Sequence, residues 1–242
     1  MNDRLSEVWV YLAATPLLGL TATLLVYQAA FALYRALGFH PLANPVAFSV
    51  ALLGTLLWAT GTPYSTYFEG AQFVHFLLGP ATVALAVPLW EQRDRLKRLW
   101  WPMLGALVAD TLAATGAALL LGALLGASPA TLASLAPKSV TTPVAMGIAE
   151  KIGGLPSLTA VLVVCTGIVG AATARPLFNL LGISDPTVRG FALGTAAHGI
   201  GTARAFQVSE DMGAFAGLAM GLCALFSAVV LPLVVGGLLR WM

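Results

Sequence analysis

Eight apolar stretches follow one another along the chain with only short polar breaks between them: residues 8–34, 44–60, 71–90, 99–125, 129–149, 155–174, 188–203 and 212–239. Each comes near or exceeds the roughly 17 to 25 residues with which an α-helix crosses a bilayer. The first contains no Asp, Glu, Lys or Arg and far exceeds the apolar core of a signal peptide, about 7 to 15 residues, so it is expected to stay in the membrane. The stretch 129–149 carries internal Pro and Gly and 188–203 internal Gly, and both are expected to be broken. The pattern predicts an all-α integral membrane protein of about eight hydrophobic helical elements, some broken or re-entrant at Pro/Gly-rich motifs. The polar breaks leave no room for a separate soluble domain, so residues 1–242 are expected to form one domain.

Composition sharpens this picture. Hydrophobic residues make up 59% and charged residues 9% of the chain, against about 25% charged in soluble domains. A lipid bilayer is therefore the expected environment. The net charge of +2 is too small, and the basic residues too scattered, for a nucleic-acid surface. Cys165 and Cys223 sit in apolar runs without a nearby CxxC or His and are expected to be buried free thiols. Four basic residues between Glu91 and Arg98 precede Trp100 and Trp101, which predicts a short cytoplasmic loop at an interface. Residues 61–70 then fall outside, and the N-terminus is external.

The polar chemistry concentrates in two of the broken stretches. Pro137-Lys-Ser-Val-Thr-Thr-Pro143 places a lysine and three hydroxyls inside an apolar chain, where such groups usually line a cavity or a path. Pro143 bars Thr142 from helical geometry and removes a backbone donor, so a half-helix is expected to begin near Thr141 and Thr142. Its unpaired N–H groups and positive dipole end would lie within the membrane beside Lys138, Ser139, Thr141 and Thr142. Broken helices of this kind bind anionic substrates in secondary transporters. Were 138–142 helical, Lys138, Thr141 and Thr142 would share a face instead. Glu150 and Lys151 read as a solvated pair at the membrane edge.

The second stretch runs from Arg189 to Arg204. Gly194, Gly199 and Gly201 permit close packing or an unwound segment, while Thr195, His198 and Thr202 share one face of a continuous helix. On such a helix Arg204 points away from His198, so both serve one cavity only if the glycines break it. Asp110, inside the fourth stretch, needs a partner, for which Lys138 is the obvious candidate. Aligning Pro80 with Pro137 pairs Thr82 with Ser139; this echo fits a diverged internal repeat and chance equally well. The glycines lack the Gly-Lys-Ser/Thr of a phosphate loop, and the hydroxyls lack a GxSxG elbow. An enzyme is thus the weakest class, and neither cofactor nor metal is expected.

Through Asn44-Pro45, Tyr67-Phe-Glu-Gly70, residues 78–89, Pro137 to Pro143, Ile152-Gly-Gly-Leu-Pro156 and residues 189–204, the chain resembles the LrgB/CidB family of bacterial membrane proteins. The likeness covers nearly the whole chain; where Ala197 stands the family usually has Ser. It implies a multi-pass protein of the bacterial cytoplasmic (inner) membrane and two functions of different class. One is antiholin-like or holin-like regulation of murein hydrolase activity and autolysis with a small LrgA/CidA-type membrane subunit. The other, through a similar plastid glycolate/glycerate translocator, is carriage of short carboxylates. The residues favour a transporter of small monocarboxylates such as glycolate, glycerate, pyruvate or lactate. Lys138, Ser139, Thr141, Thr142, His198 and Thr202 would bind the substrate, with Asp110, Thr82, Thr195, Gly199 and Arg204 in support. His198 would hold the substrate hydroxyl or carry a coupled proton. Proton or sodium is the expected coupling ion, and homo-oligomers are compatible with the reading.

Overall fold

The computed structural model describes residues 16–39, 43–77, 80, 83, 90 and 93–239. The described residues are helical throughout their regular elements and divide into two compact units, within residues 1–84 and 85–242. The first unit holds α1 (Pro16–Ala36), α2 (Pro45–Thr60) and α3 (Tyr64–Phe76). Asn44 caps α2 by accepting from the N–H groups of Val46 and Ala47 at 2.9 and 3.3 Å, and Gly61 closes it in the left-handed region. α1 and α3 meet where Gly19 faces the backbone of Tyr67 and Ala71, and the Thr23 and Tyr67 hydroxyls bond at 2.8 Å. Residues 64–70, expected in a loop, are thus the first turns of α3. Their polar side chains occupy part of a helix that also presents Tyr64, Tyr67 and Phe68.

The second unit holds α4 (Arg93–Leu124), α5 (Pro129–Leu135), α6 (Thr142–Lys151), α7 (Pro156–Leu180), α8 (Pro186–Val208) and α9 (Glu210–Leu239). α4 begins six residues before the expected span, because Arg93 to Arg98 continue it as a charged helical extension rather than a loop. Across both units, α1, α4, α7 and α9 contain stretches long and apolar enough to cross a membrane. Their outer faces carry large apolar side chains, among them Trp101, Leu124, Leu180, Leu225 and Leu233, as a lipid solvent requires. Cys165 lies on such an exposed face of α7, contrary to expectation, while Cys223 is buried.

Two expected elements of the second unit turn back instead of crossing. α5 runs antiparallel to α4: Gly122 faces Leu132, and farther down the Thr115 hydroxyl donates to the Ala136 carbonyl at 3.2 Å. After a break at residues 136–141, α6 returns, so that Gly154 lies against the backbone of Ala133 and Ser134. Ser134 locks this return, its Oγ accepting from the Leu155 N–H at 2.8 Å while its carbonyl accepts from the Thr159 hydroxyl at 3.2 Å.

α8 turns back at His198, whose φ of 41° and ψ of −132° interrupt the helix. Residues 193 and 201 would lie about 12 Å apart along a straight helix, yet a Cβ on Gly201 would stand 2.8 Å from Ala197 and 3.1 Å from Leu193. The descending arm packs parallel to α9, with Gly190 on Met212 and Gly194 on Ala216, and the returning arm brings Phe206 back to Gly213. Both hairpins open with the same device, a capping side chain followed by Pro at the first helical position: Ser128-Pro129 and Asp185-Pro186. Both break thirteen residues after that cap, at Thr141 and at His198. This correspondence lies between the halves of the second unit; the echo around Pro80, including Thr82, lies outside the described residues apart from Pro80 and Val83.

The hairpins enter from opposite ends. The first starts beside the last turns of α4 and the end of α9, where Ile152 meets Gly236. The second starts at the basic end, where Arg95 of α4 reaches Asp185 at 3.4 Å and Asp211 at 3.8 Å. Asp185 also accepts from the Thr187 and Val188 N–H groups at 2.7 and 3.3 Å. Burial acts against its ionisation, but those N–H bonds and the Arg95 charge outweigh it and hold the carboxyl below its ordinary range. A carboxyl depressed in the folded state stabilises above its unfolded pKa of about 3.9 and loses that contribution as pH falls through the lower folded value. The melting temperature in detergent is therefore expected to drop below about pH 4, and Asp185→Asn, read by the same melt, to flatten that part of the acid limb.

Candidate functional site

One buried core joins α4, both hairpins, α7 and α9 through Met103, Ala136, Val140, Ile148, Val163, Phe191 and Phe215. It holds the two breaks near the middle of the long helices. Asp110 sits in the middle of α4, flanked by Thr195 from the second hairpin and close enough to Lys138 from the first for their charges to interact. Cys223, midway along α9, closes the group from a third side. The Asp110 Oδ2 atom is buried and has no hydrogen-bond partner among the described residues, and leaving a buried polar group unpaired costs about 1 to 3 kcal/mol or more. Lys138 is the partner anticipated for it, acting through charge without a direct hydrogen bond; the Lys138 Nζ donates to the Ser139 Oγ at 3.4 Å.

A cavity of about 410 Å³ leads to this carboxylate from the basic end. It runs between α4 and the descending arm of α8, past Leu99, Met103, Thr187 and Phe191, to a floor formed by Asp110 and Thr195. On the other side of the break, α6 begins without a side-chain cap: Thr141 is extended (φ −58°, ψ 139°), and its hydroxyl makes no cap bond. Thr141 and Thr142 are half-buried there. The extended residue is Thr141, one earlier than the residue Pro143 restrains, and the half-helix starts within the unit as its prolines predicted.

The candidate residues of the second hairpin disperse because it reverses at His198. Thr195 stays on the descending arm beside Asp110. The His198 ring turns to α7, where Nε2 bonds the Val163 carbonyl at 2.9 Å and the ring fills the space a side chain on Gly167 would occupy. Thr202 donates to the His198 carbonyl at 2.9 Å and meets the Met220 sulfur. The common face of Thr195, His198 and Thr202 on a continuous helix therefore does not form. Gly199 faces open space with only Met220 nearby, whereas Gly190, Gly194 and Gly201 abut backbone. Arg204 lies in a separate cavity with Arg175 and Arg189. Among the described residues no group of three His, Cys, Asp or Glu side chains is placed to hold a metal ion.

Sequence reasoning missed Ser134, Thr159 and Gly167, which seat the breaks but announce themselves only as ordinary small or hydroxyl residues of apolar helices. It also missed the clamp of Arg95 on Asp185. The Asp185-Pro186 pair was the available signal, since it repeats the Ser128-Pro129 cap.

The LrgB-like family model matches residues 23–236, a range that contains both hairpins and the whole polar cluster. The chain belongs to the LrgB-like family. It is 30% identical over 221 residues to antiholin-like protein LrgB of Bacillus mycoides, covering 90% of this chain and 95% of that protein. The relatives of the same name in Bacillus cereus and Bacillus anthracis match to the same extent. No solved structure matches. This LrgB-like chain is a multi-pass membrane protein whose described second unit places two half-helix breaks around one carboxylate and one lysine.

Proposed function

We propose that this LrgB-like protein carries small 2-oxo or 2-hydroxy monocarboxylates, of the size of glycolate, glycerate, pyruvate or lactate, across the bacterial cytoplasmic membrane. The observation that supports the reading is the pair of re-entrant hairpins entering from opposite ends, with Thr195 beside one break adjacent to Asp110 and Lys138 at the other close enough for its charge to act on that carboxyl. Irregular backbone at this depth is tolerated where it lines a cavity or a substrate path. Lys138 neutralises the carboxylate, while the uncapped α6 N–H groups and the Ser139, Thr141 and Thr142 hydroxyls supply donors.

Charge balance assigns Asp110 its part. Lys138 and Asp110 together are neutral when both are ionised; a bound monocarboxylate leaves one excess negative charge in a low-dielectric site, which is costly. A proton or sodium ion on Asp110 restores neutrality and couples the carboxylate to that cation. His198 acts as a positioning residue for the second break. The Arg93 to Arg98 segment, Arg175, Arg189 and Arg204 share one end of the unit, which supports a cytoplasmic assignment of that end. The first hairpin then enters from outside, the second from inside, and α9 ends outside.

The relatives' name, antiholin-like, favours a second reading, the one the family resemblance fills in as regulation of murein hydrolase activity with an LrgA/CidA-type subunit. Proteoliposomes containing the purified protein, with and without such a subunit, separate the two. A carrier gives saturable, competable uptake of labelled glycolate, glycerate, pyruvate or lactate without leakage of an entrapped dye. Dye leakage without saturable uptake, or no flux in either preparation, overturns the carrier reading. With flux established, Asp110→Asn is expected to abolish accumulation driven by a proton or sodium gradient; accumulation equal to that of the parent protein would remove Asp110 from the coupling role.

A further inference from the structure

The first turns of α4 carry basic side chains on two different sides. Arg95 faces the second unit, where its guanidinium reaches Asp185 at 3.4 Å and Asp211 at 3.8 Å and lies 5.7 Å from the centre of the Phe215 ring. At about 100° per residue, the positions of Arg93, Lys97, Trp100 and Trp101 fall within about 100° of one another, with Arg98 about 60° beyond Trp101 and Arg95 about 160° from Arg93. Lys97, Arg98, Trp100 and Trp101 are all exposed, Trp101 at 80%. The outward side of this segment therefore combines cations with indole rings.

Its depth follows from the length of the helix. The part of α4 long and apolar enough to cross a membrane runs from Lys97 to Leu124, 28 residues, or about 42 Å at about 1.5 Å per residue. That matches the hydrocarbon core together with both headgroup layers, about 40 to 45 Å, in which each headgroup layer takes about 5 to 8 Å. Lys97 and Arg98 thus stand at headgroup level. Trp100 and Trp101 lie about 4 to 6 Å farther along the axis than Lys97, at the edge of the hydrocarbon that Trp favours.

Two of these cations are uncommitted. Among the described residues, no hydrogen bond or ion pair occupies Lys97 or Arg98. Arg93 donates to the Trp90 carbonyl at 3.2 Å, and its guanidinium lies 5.2 Å from the centre of the Trp90 ring. Asp94 is the acidic residue of the same turns, so Arg93, Lys97 and Arg98 outweigh it. Free cations at headgroup level, with indole rings just below them, match an anionic phospholipid whose phosphate meets the cations and whose glycerol meets the rings.

We infer that the outward face of α4 formed by Lys97, Arg98, Trp100 and Trp101 docks the headgroup of an anionic phospholipid. The same turns present Arg95 on their inner side, so a lipid held outside steadies the segment that clamps the starts of α8 and α9. Asp110 lies about 18 Å farther along α4 than Arg98. The docking face is therefore separate from the Lys138 and Asp110 cluster and does not depend on what that cluster carries.

The test uses the full protein, delipidated in neutral detergent. Phosphatidylglycerol, phosphatidylcholine with the same acyl chains, and inorganic phosphate are each titrated, with binding read by native mass spectrometry and by the shift in melting temperature. Phosphatidylglycerol is expected to bind in preference to phosphatidylcholine, and added salt to erode that preference because the cations are exposed. The Lys97→Gln, Arg98→Gln double variant should bind phosphatidylglycerol about thirtyfold more weakly, since each basic residue near a membrane surface contributes about 1 kcal/mol. Exchanging the two cations, Lys97→Arg with Arg98→Lys, keeps both charges and should keep the preference. Lys151→Gln with Arg175→Gln removes the same formal charge from exposed positions outside this face and should also leave it in place. All of these positions are exposed, so the lipid-free melts should stay close to the parent's. Equal binding of the two lipids, or equal losses in the two glutamine double variants, overturns the docking face. Protection by inorganic phosphate as strong as that by phosphatidylglycerol overturns the lipid as its occupant.

Discussion

Lys138→Ala is expected to reduce carboxylate flux in proteoliposomes by between about thirtyfold and a thousandfold, the range that corresponds to the roughly 2 to 4 kcal/mol lost when one partner of a buried charge pair is truncated. Lys138 is half-buried at the first break, with the Ser139 hydroxyl at 3.4 Å and the charge of Asp110 nearby. On the proposed carrier reading, removing its ammonium takes away the countercharge for a bound carboxylate and leaves Asp110 to repel it. Lys138→Arg keeps the charge but replaces a compact donor with a planar fork, so partial flux is the expected outcome there. A melt of each variant separates the two effects: a folded Lys138→Ala protein with parental flux would eliminate this lysine as the carboxylate's partner.

Gly194→Ala is expected to destabilise the second unit by about 3 kcal/mol, the upper end for inserting a methyl group into a packed interface. A Cβ at Gly194 would stand 2.7 Å from both the carbonyl carbon and the Cα of Ala216, and it would press on the Ala216 oxygen as well. These are backbone atoms of α9, with no rotamer to move away. The descending arm of α8 would have to lift off α9 and carry Thr195 away from Asp110. For a domain of this size the corresponding fall in melting temperature is about 6 to 12 °C. Gly199→Ala makes the matching comparison, because a Cβ there meets only the flexible Met220 sulfur at 3.9 Å; its melt should change by no more than about 0.5 kcal/mol equivalent. Equal effects of the two changes would show that helix propensity, and not seating on α9, governs both.

These glycines show why the candidate site was only partly legible beforehand. Gly194, Gly199 and Gly201 read alike in a row of letters, since each lacks a side chain. Contact with Ala216 and Leu193 distinguishes the first and third from the second. Similarly, Thr195, His198 and Thr202 obey the spacing of one helical face, but that rule assumes a continuous helix. The positive φ falls on His198, between neighbouring glycines better suited to unusual backbone geometry, because the imidazole bond to the Val163 carbonyl and the gap at Gly167 hold the histidine there. No local preference predicts a strain that a partner on another helix sustains.

The break before Pro143 was readable because it is local. Proline removes a donor and disfavours a continuous helix through its position in any surroundings, so a half-helix beginning near Thr141 and Thr142 follows from the letters, although which of the two is extended does not. The apolar runs likewise follow from composition, since hydrocarbon tolerates only segments that satisfy their own backbone bonds. That much the chain dictates by itself: an all-helical membrane protein, a discontinuity near Thr141 and Thr142, and a lysine and an intramembrane aspartate that need partners.

Whether a run of sufficient length crosses or returns was decided by tertiary contact. The first hairpin returns because Ser134 captures the Leu155 N–H and the Thr159 hydroxyl across the bend; the second returns because small residues let its arms seat on α9. Length and hydropathy are the same for a span and for a folded hairpin of equal residue count. Only packing between segments distant in sequence tells them apart, and it is this packing that brings Lys138, Asp110 and Thr195 to one place.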